Sequence, residues 1–104
     1  MNRGFCLLAQ NNDKTDYIKQ AYALACSLHM FNNDQKISLI TNDTVPKEWQ
    51  SVFDQIIPIP WSDSAEDSEW KIENRWKVYH ASPYDETIVL EADMLITADI
   101  THWW

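Results

Sequence analysis

Residues 87–97, TIVLEADMLIT, constrain this chain more than any other stretch. Thr87, Ile88, Val89 and Leu90 have the composition of a buried strand, and two carboxylates, Glu91 and Asp93, follow directly. A strand covered on both faces has no place for unpaired charges, whose burial is too costly. The conflict resolves if the acids stand at the C-terminal end of the strand, where the chain reaches a crevice. Residues two apart in extended chain point to one side, so Glu91 and Asp93 converge. Two hard oxygen ligands held together suit Mg²⁺ or Mn²⁺, and a metal held this way suits a diphosphate. The plainer alternative is a pair of solvated acids in a turn.

The remaining segments alternate in character. Residues 4–10, GFCLLAQ, form a short apolar run that reads as a first strand, and the polar cluster after it is loop chemistry. Thr15 or Asp16 can cap a helix over residues 17–31, in which Ile18, Ala21, Tyr22, Ala25 and Leu28 recur at helical spacing. Ala21, Ala23 and Ala25 permit close packing on a sheet. Residues 36–41, KISLIT, give a second strand, and Asn42-Asp43-Thr44 a turn. Pro46 starts a short helix through Phe53. Residues 55–59, QIIPI, read as a third strand whose proline marks an edge or an end. The acidic, serine-rich residues 61–68 read as an exposed loop. A second long helix spans residues 68–82, with Ile72, Trp76 and Tyr79 as its core stripe, and Pro83 stops it.

This order of strand, helix, strand, short helix, strand, helix, strand predicts an α/β fold, a mostly parallel twisted sheet with helices on both faces. Ligands in such sheets bind beyond the C-terminal strand ends, where the strand order reverses. If the first and fourth strands are neighbours, the cluster at Gln10-Asn11 meets the cluster at Glu91-Asp93.

Composition narrows the chemistry. The chain has 104 residues, enough for one domain with a modest core. It has a single glycine, Gly4, which excludes the dinucleotide fingerprint and the P-loop. A nucleotide would therefore be held by side chains and a metal. A formal charge of −8 argues against a nucleic-acid partner, which requires a basic face. Cys6 and Cys26 sit in apolar segments and read as buried reduced thiols. No run has the length of a membrane span, and Met1-Asn2-Arg3 leads straight into a strand-like segment, so the expected location is cytoplasmic. His29 and His80 lack metal-ligand spacing and read as structural. Trp70 and Trp76 read as packing, and Trp103 and Trp104 either begin the packing of a further domain or form an exposed apolar end.

These residues, taken in order, resemble the N-terminal, nucleotide-binding half of GT-A fold glycosyltransferases, closest to the glycogenin-like and lipopolysaccharide galactosyltransferase-like enzymes. The resemblance rests on FCLLAQN (5–11), Tyr17 with ACSL (25–28), ISLITN (37–42), VFDQII (52–57) and residues 84–100. Within the last, Glu91-Ala92-Asp93 stands where the family has its Asp-x-Asp motif. The resemblance implies a Rossmann-like half of a nucleotide-diphospho-sugar transferase fold. It implies a nucleotide-sugar donor, usually UDP-linked, bound with Mn²⁺ or Mg²⁺, and transfer of the sugar to an unknown acceptor. The metal would neutralise the diphosphate leaving group. By the same resemblance Leu8, Ala9, Gln10 and Asn11 contact base and ribose, and Tyr17 stacks near the uracil. Arg75 reaches the sugar or phosphate, Ala92 belongs to the nucleotide-binding set, and Glu91 and Asp93 hold the metal.

The chain departs from the family in three ways, one being that the basic residue the family often places in the loop before the last helix has no clear counterpart, Lys71 standing nearest. Glu91 replaces an aspartate. The family's later half, which carries a third metal ligand and the acceptor site, has no counterpart, and His102 is too close to the strand end for that ligand. The expectation is a fragment of a longer enzyme or a small protein that kept the nucleotide half. A non-catalytic binding or interaction module of the same fold is the alternative, with a homodimer through the unfinished sheet edge. A different metal-dependent enzyme of phosphate esters ranks third, because no nucleophile or base is evident near Asp93.

Overall fold

The apolar run near the N-terminus forms the strand Arg3–Leu8 (β1), in which Phe5, Cys6 and Leu7 are completely buried. A computed structural model describes residues 2–11, 15–59, 78–91 and 95–104. The helix Tyr17–Phe31 (α1) has the predicted bounds. The strand Ile37–Ile40 (β2) follows, then the helical turn Lys47–Gln50 (α2) and the two-residue strand Ile56–Ile57 (β3). After the helical turn Val78–Ala81 (α3), the chain enters the strand Glu86–Leu90 (β4) and ends on a 3₁₀ turn at Thr101–Trp103.

The strands form one sheet in the order β3-β2-β1-β4, and every pair is parallel. β1 is therefore central, with Leu7 opposite Leu39 on one side and Leu90 on the other. The alternation of side chains along each strand divides the core in two. Phe5, Leu7, Ile37, Leu39 and Leu90 pack with Ile18, Ala21, Leu24, Ala25 and Leu28 of α1. Cys6, Ile40, Ile59, Val78 and Tyr84 form a smaller cluster, with Leu8, Ile57 and Val89 against it. Burying each Leu or Ile contributes roughly 1.5–3 kcal/mol, so the α1 cluster supplies most of the driving force.

Several boundaries move for identifiable reasons. Pro46 stands before the first turn of α2 rather than inside it, and α2 tapers through i to i−3 bonds, Val52 N–H to Trp49 C=O at 3.4 Å and Phe53 N–H to Gln50 C=O at 3.2 Å. β3 is shorter than expected because Pro58 has no N–H to continue the ladder. Of the residues 68–82 expected to form a second long helix, Val78–Ala81 are helical as α3; residues 68–77, with Trp70, Ile72, Arg75 and Trp76, lie outside the described residues. Ala23 is exposed, and Leu24 takes the core position instead.

The C-terminal residues 95–104 lie along α1. Ser27 Oγ accepts the Ile96 N–H at 2.8 Å. The buried side chain of Asn32 donates to Ala98 C=O at 3.0 Å and accepts from Ile100 N–H at 2.9 Å. Trp104 packs on Phe5 with ring centroids 5.2 Å apart, beneath the Arg3 guanidinium, and its indole N–H donates to Gln35 at 3.0 Å. Trp104 is thus part of this domain's own packing, whereas Trp103 is exposed.

Candidate functional site at the carboxyl edge of the sheet

The chain builds outward from β1 in two directions, to β2 and β3 on one side and to β4 on the other. The order reverses between β1 and β4, and their C-terminal ends, Leu8 and Leu90, lie side by side. An open parallel sheet places its ligand crevice at this point. The structure brings to this edge the loop after β1, the start of α1, and Glu91.

The predicted residues are placed there unequally. Leu8 is half-buried and packs in the smaller cluster, while Ala9 belongs to the α1 core. Gln10 is buried as well. Asn11 is half-buried, and its side-chain oxygen accepts the Ile18 N–H at 3.0 Å. Tyr17 packs against the α1 core from the first turn of the helix. Glu91 is exposed at the end of β4. Arg75, Ala92 and Asp93 lie outside the described residues.

The amino end of α1 is closed by side chains. Asp16 Oδ1 caps it, accepting the Lys19 N–H at 3.0 Å, and Asn11 takes the N–H of Ile18. A carboxylate cap suits the positive end of the helix dipole. It also occupies the position at which glycine-rich folds seat a phosphate. The N–H groups of Ile18 and Lys19 are therefore already taken. Glu91, exposed after β4, is one hard oxygen donor at this edge. Among the described residues no group of three or more His, Cys, Asp or Glu side chains is gathered to hold a metal.

Sequence reasoning missed the importance of Thr41, read as the end of a strand, and of Asn42 and Asp43, read as part of a plain turn. Asp43 Oδ2 accepts the Asn11 N–H at 2.6 Å, and Asn42 Oδ1 accepts the Ile59 N–H at 2.9 Å. Thr41 Oγ1 accepts the Asp43 N–H at 3.0 Å. Three consecutive hydrogen-bonding side chains at a strand end were the available signal.

A second polar cluster lies at the opposite end of the sheet. The Tyr84 hydroxyl donates to Asp54 Oδ2 at 3.0 Å and lies 2.7 Å from Ser38 Oγ. With its one proton committed to Asp54, Tyr84 accepts from Ser38. Burial, the largest cause, pushes the Tyr84 hydroxyl well above the ordinary tyrosine range, and the Asp54 carboxylate adds to this while the Ser38 bond opposes it. The Cys6 thiol, donating to Ser82 at 3.6 Å, is pushed up by burial and partly offset by the Ser82 hydroxyl. On α1, the Tyr22 hydroxyl is raised chiefly by its hydrogen bond with Cys26, and its ring stacks on Trp49 at 4.9 Å. Both cysteines are free thiols, with Cys6 buried and Cys26 half-buried. His29 Nε2 lies 2.9 Å from Val52 C=O and ties α1 to the α2 turn.

No protein-family model matches this chain, and no curated protein matches it. No helix among the described residues is long and apolar enough to cross a membrane.

Proposed function

We propose that the chain is a nucleotide-sugar-binding domain of the GT-A type, the donor half of a glycosyltransferase. On this reading it binds a nucleotide-diphosphate sugar, UDP-linked, with Mn²⁺ or Mg²⁺, for transfer to an acceptor. The observation that carries the reading is the parallel pairing of β1 with β4, which puts the Leu8–Asn11 loop and Glu91 at one switch point. The closed end of α1 supports it further, because it leaves a carboxylate-held cation as the route to a diphosphate. Leu8, Ala9, Gln10 and Asn11 face the base and ribose on this reading, with backbone groups dominating because Ala9 and Gln10 are buried. Tyr17 flanks the base, Arg75 and Ala92 meet the phosphates and sugar, and Glu91 and Asp93 hold the metal. Two free thiols are in keeping with a reducing, cytoplasmic location.

Calorimetric titration of UDP with and without Mn²⁺, against the wild-type chain and Asp93→Ala, tests this. Metal-dependent binding that the variant loses is the expected result. An absence of binding under both conditions removes the proposal.

One observation favours a non-catalytic interaction module instead. Among the described residues β4 pairs with β1 alone, which leaves its outer edge to a partner such as a second copy of the chain. Sedimentation equilibrium separates the two readings: a dimer that binds no UDP selects the module.

A further inference from the structure

Tyr84 stands in the turn before β4 and reaches across the sheet. Its ring lies on Gly4 of β1 so closely that a Cβ there would stand 2.3 Å from it. Its hydroxyl lies 2.7 Å from Ser38 Oγ of β2 and donates at 3.0 Å to Oδ2 of Asp54, in the loop that enters β3. Asp54 is in turn tied to β2, its N–H donating to Ile37 C=O at 2.7 Å. Within the same turn, Ser82 Oγ accepts the Tyr84 N–H at 3.2 Å and the Cys6 thiol at 3.6 Å. With both lone pairs used, it gives its own proton to Thr87 Oγ1 at 2.5 Å. Cys6 is completely buried, opposite Ser38 on one side and Val89 on the other, in one cluster with Tyr84 and with Val78 and Ala81 of α3.

This cluster lies on the face of the sheet opposite α1. The other side-chain links from the turn to the strand starts are exposed. Asn2 N–H donates to Asp85 Oδ2 at 3.2 Å, Asn2 Nδ2 donates to Pro83 C=O at 3.2 Å, and Arg3 pairs with Glu86 at 2.7 Å. Exposed links of this kind hold little. Among the described residues Tyr84 is thus the buried side-chain tie that runs from the β4 turn over β1 to β2 and the loop before β3. Parts of a domain open separately when their opening costs less than unfolding the whole. Lifting α3 and this turn leaves the larger α1 cluster packed. We infer that α3 and residues 82–85 form a lid, strapped down by Tyr84, that lifts and uncovers Cys6 while β1, β2 and α1 stay folded. Tyr84 sits at the strand-start end, so this opening is separate from the nucleotide binding proposed for the carboxyl edge.

Thiol labelling of the full chain under native conditions reads this opening. The reagent is an aromatic disulfide that releases a coloured thiolate, and Cys26→Ser is the background, which leaves Cys6 the single thiol. Cys6 should react far more slowly than an exposed thiol, yet faster than the global stability from urea titration permits. Tyr84→Phe removes the hydroxyl bonds and keeps the ring, and should speed labelling roughly tenfold. Leu24→Ala, in the core on the α1 face, lowers the stability of the whole chain. It should leave the Cys6 rate within about twofold, because the lid packs on the other face. A rate that rises in Leu24→Ala in step with its lost stability overturns the inference, since Cys6 is then reached by global unfolding. An unchanged rate in Tyr84→Phe overturns it as well, since the hydroxyl then straps nothing. If Leu24→Ala fails to fold, Ile18→Val, a milder loss in the same cluster, takes its place with the same expected rate.

Discussion

The two ends of the sheet use polar residues in opposite ways. At the end where the strands begin, polar groups satisfy one another and are packed beneath aromatic rings. Tyr84 lies across Gly4 so closely that a Cβ there would stand 2.3 Å from its ring, while its hydroxyl joins Ser38 and Asp54. The backbone N–H groups of Asp85 and Glu86 both donate to Asn2 C=O, at 2.9 and 3.0 Å, and stitch β4 to the start of β1. At the carboxyl end, Asn11, Asp16 and Asp43 are spent on holding loop backbone and helix end, and the carboxylate of Glu91 is exposed. The difference teaches where rigidity is built. The first end closes the fold, while the second fixes the loops at the carboxyl edge and leaves charge at the surface.

The sharpest way to break this contrast is Gly4→Ala. The added methyl cannot coexist with the Tyr84 ring, and the hydroxyl network must shift with it. Overpacking of this kind costs about 3 kcal/mol, so urea unfolding should show a clearly lower midpoint. A loss under about 1 kcal/mol would mean that the strand-start end is no tighter than an ordinary surface.

Tyr84→Phe has an intermediate effect. It leaves the Ser38 hydroxyl buried without its partner and should cost roughly 1–3 kcal/mol at neutral pH. The pH dependence sharpens the assignment. In the unfolded chain the Tyr84 hydroxyl ionises at its ordinary value near 10, and in the folded chain only above that. The folded state therefore holds the proton more tightly. Its stabilising contribution is complete below about pH 10 and declines as pH rises toward the folded value. Wild type should lose stability above about pH 10 more steeply than Tyr84→Phe. Parallel curves from the two chains in denaturant titrations at several pH values would remove Tyr84 as the alkaline-sensitive group.

The smallest effect belongs to the carboxyl end. Asp16→Ala removes the cap of α1 and should cost about 1 kcal/mol. It should leave the Tyr84 network unchanged, because the two sites lie at opposite ends of the sheet. A larger loss, or altered Tyr84 signals in a spectrum, would show that the ends are coupled rather than independent.

Much of the architecture was legible because it follows from periodicity. The spacing of Ile18, Ala21, Ala25 and Leu28 marked α1 and its buried face, and the runs at 4–10, 36–41 and 87–90 marked three strands. Strand ends were less legible, since β1 stops at Leu8 while its apolar run continues through Ala9 into the α1 core. At the candidate site, the sequence pointed to the loop after β1 and to Glu91, and β1 and β4 do end side by side. It did not point to Asp43, because a turn-forming Asn-Asp pair looks the same whether its carboxylate meets water or a distant amide.

Local side-chain pattern alone therefore determined the order of helices and strands, the α/β class, the buried stripe of α1 and the exclusion of a glycine-rich phosphate loop. Each depends on residues within a few positions of one another, and propensity and burial act over that range. Tertiary structure decided that β1 lies between β2 and β4, that Tyr84 crosses Gly4, that Trp104 returns to Phe5 and Arg3, and that Asp43 holds Asn11. These contacts join residues tens of positions apart, and side chains with no preference between water and each other make them only after packing has brought them together.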